Sequence, residues 1–95
     1  DLENDSAVDA QMLLGLIYAN GVGIPADDEK ATWYFKRSSA ISRTGYSEYW
    51  AGMMFQQGEK GFIEPNKQKA LHWLNVSCLE GFDTGCEEFD RISKG

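Results

Sequence analysis

The sequence repeats itself. Leu14-Gly15-Leu16-Ile17-Tyr18-Ala19-Asn20-Gly21 aligns with Ala51-Gly52-Met53-Met54-Phe55-Gln56-Gln57-Gly58, 37 positions further on. Lys30-Ala31-Thr32-Trp33-Tyr34-Phe35 aligns with Lys69-Ala70-Leu71-His72-Trp73-Leu74 at an offset of 39, and Thr44-Gly45-Tyr46-Ser47-Glu48-Tyr49 with Thr84-Gly85-Cys86-Glu87-Glu88-Phe89 at 40. One residue added between Gly58 and Gly61, and another before Asn66, account for the drift. A period near 40 in a chain of 95 residues points to a stack of supersecondary units rather than a closed fold.

Each unit reads as two helices. Met12, Leu14, Ile17 and Tyr18 fall at helical spacing and predict a helix over 6–20. Gly21 to Pro25 stops it, because glycine accepts positive φ and proline cannot continue a helix. Asp27 is the natural N-cap of a helix over 28–41, with Asp28 and Glu29 complementing its positive end and Ala31, Tyr34, Phe35 and Ser38 as its apolar stripe. The second unit repeats the plan: a helix over 45–57, a loop from Gly58 to Pro65, Asn66 as cap, a helix over 67–80 and Gly81 as C-terminal cap. Phe82, Cys86, Phe89 and Ile92 predict the apolar face of a fifth helix, with Glu87, Glu88, Asp90, Arg91 and Lys94 on its other side. The expected architecture is therefore all-α: a short α/α solenoid, a right-handed superhelix, forming one domain over 1–95. Repeat one covers about 7–43, repeat two about 44–81, and a capping helix 82–94 closes the stack.

Composition narrows the partners. Nine basic against fifteen acidic residues give a net charge of −6, which disfavours nucleic acid and anionic membrane and suits a partner with a basic surface. No apolar run approaches the length of a membrane-spanning helix, so no membrane insertion is expected. The chain starts at Asp1, and the expectation is a processed protein whose signal peptide has been removed.

Motifs for chemistry are scarce. Two cysteines and one histidine fall short of a zinc site, and His72 and Cys78, six apart on one helix, are turned about 120° from each other. His72 is expected to be exposed. Gly21-Val22-Gly23-Ile24-Pro25-Ala26 formally fits a dinucleotide fingerprint, but a helix precedes it where a strand is required, and Pro25 interrupts it. No Ser-x-x-Lys or Gly-x-Ser-x-Gly occurs. Asp27, Asp28 and Glu29 are explained by capping, and Glu87, Glu88 and Asp90 by a solvated face. Asn4-Asp5-Ser6 and Asn75-Val76-Ser77 match the glycosylation sequon, the second in mid-helix. The reading is of a protein without catalytic residues, metal or cofactor.

The repeat resembles a known family, the Sel-one-like repeat, a tetratricopeptide-like α-solenoid. Leu14, Gly15, Tyr18, Gly21, Gly23, Ile24, Asp27, Lys30, Ala31 and Tyr34 carry the pattern in the first unit. Gly52, Phe55, Gly58, Gly61, Asn66, Lys69, Ala70 and Trp73 carry it in the second, with a longer loop and Ala51 where Leu is usual. Gly15 and Gly52 then let two helices cross closely, Tyr18 and Phe55 fill the gap between them, and Ser38 and Ser77-Cys78 stand where the family has small residues. Cys78 and Cys86 flank the turn at Gly81, where two helices place such positions side by side. Their spacing also resembles the cysteine-rich secreted bacterial branch, in which a disulfide ties each repeat to the next. A Cys78–Cys86 disulfide and an oxidising compartment, periplasmic or extracellular, are the expectation. Two reduced thiols in a helix core are the alternative.

The resemblance also implies a binding face, formed by the first helix of each unit. Positions not needed for packing there are Gln11, Leu13, Leu16 and Asn20, then Glu48, Trp50, Met53, Gln56 and Gln57. The candidate contact residues are Leu13, Leu16, Asn20, Trp50, Met53 and Gln57, joined by Phe62 from the 58–65 loop, where either Phe62 or Ile63 must pack on the helices. The functional expectation is a non-catalytic protein–protein interaction module. Its most specific form, by resemblance, is a periplasmic immunity protein that neutralises a secreted toxin. An envelope adaptor, a fragment of a larger scaffold, and a hydrolase of β-lactams or cell wall are the alternatives.

Overall fold

Five helices form in chain order in the computed structural model, which describes residues 10–21, 23–39 and 44–95. They are α1 (Ala10–Asn20), α2 (Asp28–Ser39), α3 (Tyr46–Gln57), α4 (Lys67–Leu79) and α5 (Asp83–Lys94). Neighbours in sequence pack as neighbours in space, α1 on α2, α3 on α4 and α4 on α5, giving an all-α, solenoid-like stack. The predicted start of the first helix at residue 6, the extension of the second to 41 and the Asn4 sequon lie outside the described residues.

The helix ends follow the local chemistry. Asp27 Oδ1 accepts from the Lys30 amide at 3.1 Å, and Asn66 Oδ1 accepts from the Lys69 amide at 3.0 Å, so the same cap opens the second helix of each unit. The two loops are tied alike: the Asp27 amide donates to the Tyr18 carbonyl at 3.0 Å, and the Asn66 amide to the Phe55 carbonyl at 2.7 Å. The longer second loop folds onto itself, with Glu59 and Ile63 exchanging backbone hydrogen bonds as an isolated bridge. Gly81, at φ 97°, turns the chain from α4 into α5 in the left-handed region that favours glycine.

The glycines expected at the crossings do bring helices together. A Cβ on Gly15 would lie 2.5 Å from the Phe35 ring, and one on Gly52 would lie 2.6 Å from Leu74. Around them Met12, Leu16, Ala19, Ala31, Phe35, Ala51, Phe55, Ile63, Ala70 and Trp73 form one buried core. This corrects the predicted stripe of α1. Its buried residues are Met12, Gly15, Leu16 and Ala19, while Leu14 is exposed and Ile17 and Tyr18 are half-buried. The α1 sequence is apolar almost all round, so periodicity alone could not choose its inner face.

Ring and polar contacts join the first unit to the second. The Trp73 ring meets Phe35 edge-on at 5.0 Å, the Lys69 ammonium donates to the Asn20 carbonyl at 3.1 Å, and His72 lies 3.3 Å from the Asp28 carboxylate. Lysine at a helix C-terminus satisfies a carbonyl that has no partner within the helix. His72 is exposed, as expected.

The second unit is joined to α5 covalently. Cys78 and Cys86 form a disulfide with their Cα atoms 4.5 Å apart. Beside it the buried Ser77 hydroxyl donates to the Gly45 carbonyl at 2.7 Å, and a Cβ on Gly85 would lie 2.4 Å from that hydroxyl. Small residues at Ser77 and Gly85 are therefore what lets α5 sit down on α4.

Candidate interaction surface

Of the seven residues expected to form a contact surface, three gather on α3. Tyr49, Trp50, Met53, Met54 and Gln57 line a shallow groove of about 200 Å³. Trp50 is half-buried, and its indole nitrogen donates to the Tyr46 hydroxyl at 2.6 Å, which holds the ring in place along the groove. Met53 is half-buried and Gln57 exposed. A fixed indole beside a flexible thioether is a common anchor chemistry at protein interfaces.

The other four candidates separate. Leu13 is exposed, at 43%. Leu16 is not: it is fully buried in the core, which overturns its expected place on the surface. The register of α1 turns Leu16 inward beside Gly15, and its repeat mate Met53, on a helix lying one layer on, remains half-buried. Asn20 is engaged internally, its side-chain amide donating to the Phe62 carbonyl at 2.8 Å while its own carbonyl accepts from Lys69. Phe62 is half-buried against the core, and its loop neighbour Ile63 is the residue that packs fully. Asn20 and Phe62 thus fasten the long loop to the end of α1.

Glu48 is a second correction. It reads as a free position on α3, yet it is fully buried. Burial pushes its carboxyl up to about 7; its own backbone amide opposes this, Glu80 raises it further and Lys36 pulls it down. The Lys36 ammonium lies 2.9 Å from Glu80 Oε2, and that contact raises the lysine above its ordinary value.

An aromatic surface on the first unit was missed altogether. Trp33 is 56% exposed, with the Arg37 guanidinium 4.7 Å over its ring and Tyr34 against its edge. Tyr34 stacks on Tyr18 at 5.7 Å, and the Lys30 ammonium lies 5.3 Å over Tyr18. Leu14, exposed on α1, lies about one helical turn before Tyr18. The signal was present: Trp33 lies two residues from both Ala31 and Phe35, about 200° round the helix from each. Among the described residues no group of three or more His, Cys, Asp or Glu side chains could hold a metal ion. No helix among them is long and apolar enough to cross a membrane.

Residues 8–40 and 45–82 each match the model of the Sel1 repeat. The chain belongs to the Sel1 repeat family. It is 86% identical over 95 residues to the Sel1-repeat-containing protein YjcO of Escherichia coli K12, matching all of this chain and 42% of that protein. Alginate biosynthesis protein AlgK of Pseudomonas syringae pv. tomato is a distant relative, 33% identical over 83 residues, with 84% of this chain and 17% of that protein matched. The crystal structure of a Sel1 repeat protein from Klebsiella pneumoniae superposes with a TM-score of 0.88 at 86% identity, covering 96% of this chain and 44% of that one. The Sel1 chain described here thus spans less than half the length of the curated YjcO proteins it matches.

Proposed function

We propose that this Sel1 domain is a non-catalytic protein–protein interaction module whose contact surface centres on the α3 groove. One observation carries the reading: Trp50, Met53 and Gln57, from the face expected to bind, line a single groove on a helix whose backbone is fixed by the stack. Leu13 is a further contact candidate by its exposure. Asn20 and Phe62 support the surface from within, and Leu16 plays no part in it. Sel1 repeats are typically interaction modules, which agrees with this arrangement.

The finer reading is an extracytoplasmic protein that neutralises a secreted toxin. The Cys78–Cys86 disulfide supports an oxidising compartment, and the net charge of −6 suits a basic partner. A part in a larger envelope assembly is the second reading, favoured by the likeness to an alginate biosynthesis protein and by the greater length of the YjcO relatives. The test is to isolate a partner by affinity capture from the native envelope, then to measure its affinity for Trp50→Ala and Met53→Glu variants. Each is expected to weaken binding about tenfold or more while circular dichroism stays native. Unchanged affinity in both variants would remove the groove from the contact. Protection of cells against a co-expressed toxin, lost in the same variants, separates the immunity reading from the assembly reading.

A further inference from the structure

The three helices that meet at the end of the first unit bury more acid than they neutralise. Glu48, in the first turn of α3, is fully buried, and apart from a weak approach of its own amide neither of its carboxylate oxygens meets a donor in hydrogen-bonding geometry. Glu80, at the C-cap of α4, acts on that carboxyl and raises it, and also holds a buried, unpartnered oxygen, Oε1. Its other oxygen, Oε2, pairs with Lys36 of α2 at 2.9 Å. Of the charged groups on the described elements, Lys36 and Glu80 act on Glu48; α1 carries no charged residue and α5 presents none to it.

Ionised carboxylates only accept hydrogen bonds, so two of them side by side leave their facing oxygens without a donor. One proton between them supplies that donor. It also balances the charge, leaving one carboxylate against one ammonium, with the buried Glu48 neutral and Lys36 at the surface. We propose that Glu48 and Glu80 share a single proton, and that this acid pair, held by Lys36, is a pH-responsive latch between α2 and the α3–α4 unit.

The latch sits at a thin part of the stack, since α2 packs against α3 far less extensively than α3 packs against α4. With the proton in place, Glu48 donates to Glu80, Glu80 keeps Lys36, and the end of α2 is tied to the start of α3 and the end of α4. When Glu48 loses the proton, two anions share one cation and the junction is driven to open toward water. Burial holds the Glu48 carboxyl up to about 7, which places the change near neutrality. The first unit would then shift relative to the second as a hinge rather than unfold.

Carbon-13 titration of the glutamate carboxyls of the intact protein is the direct test. The expected result is a Glu48 step within about one unit of 7. Hydrogen exchange of amides 44–48, corrected for intrinsic rates, is expected to quicken about tenfold between pH 6 and 8, and Glu48→Gln, whose amide donates at any pH, to abolish that change. Should Glu48→Gln fail to fold, Glu80→Gln supplies the second variant and should lower the Glu48 midpoint. A Glu48 midpoint below about 5, or one that Glu80→Gln leaves unmoved, would overturn the proposal.

Discussion

The two ends of the described stack are built from opposite materials. At the α5 end, the outward face carries Glu87, Asp90, Arg91 and Lys94, all exposed, and a hydrogen-bonded Glu88–Arg91 ion pair. At the α1–α2 end, Trp33 and Leu14 are exposed and Tyr18 and Tyr34 half-buried, with Lys30 over Tyr18 and Arg37 over Trp33. Repeat positions sharpen the contrast. Leu14, Tyr18 and Tyr34 correspond to Ala51, Phe55 and Trp73, and those three are buried. The same positions are closed in the second unit, where Trp73 packs on Phe35 of the first. Burial in a stacked fold is therefore a property of the neighbouring layer as much as of the residue.

The comparison breaks most visibly at the junction. Trp73→Ala removes a fully buried indole that meets Phe35, and should cost about 3–5 kcal/mol by urea denaturation. A loss under about 1 kcal/mol would mean the two units barely support each other.

The buried acid comes next. The Glu48 carboxyl stands at about 7 in the folded protein against an ordinary value of 4.5, so its contribution is complete below 4.5 and is lost as pH rises through 7. The difference amounts to about 3 kcal/mol. Stability of the native protein minus that of Glu48→Gln, followed from pH 4 to 8, should fall by roughly that amount. A flat difference would refute it.

At the closed end, reducing Cys78–Cys86 releases a short loop and should cost about 2–3 kcal/mol on the chain-entropy model. Exchange should quicken first in α5 amides, leaving α1–α2 unchanged. Uniform quickening would show that the cap stabilises the whole stack. Tighter packing at Gly52→Ala, whose new Cβ meets Leu74, should cost about 1–3 kcal/mol, readable as a lowered Tm. Smallest of all, Trp33→Ala on the open face should change stability by about 0.5 kcal/mol or less, although Trp33 and Trp73 are both tryptophans of second-position helices.

How much of this was legible varied with the range of the interaction. Asp27 and Asn66 were readable as caps because a cap is settled by a side chain and an amide three residues away. Gly15 and Gly52 were readable as crossings through the repeat, and Cys78 and Cys86 as neighbours through the short turn between them. The groove was legible in part: Trp50, Met53 and Gln57 fell together, while Leu16 turned inward and Asn20 and Phe62 proved to be bonded to each other. Glu48 was misread because a charged residue on an exposed-looking turn is ordinarily solvated, and its cover comes from α2 and α4 rather than from α3.

By itself, then, the chain's pattern determined the number of helices, their caps, their close crossings and the order in which they stack, since each depends on residues near in sequence or related by the repeat. Tertiary structure alone decided which side of the nearly all-apolar α1 faces inward, and that Glu48 is buried against Glu80 and Lys36. Those outcomes depend on which layer lies against which, and helical periodicity carries no record of the neighbour.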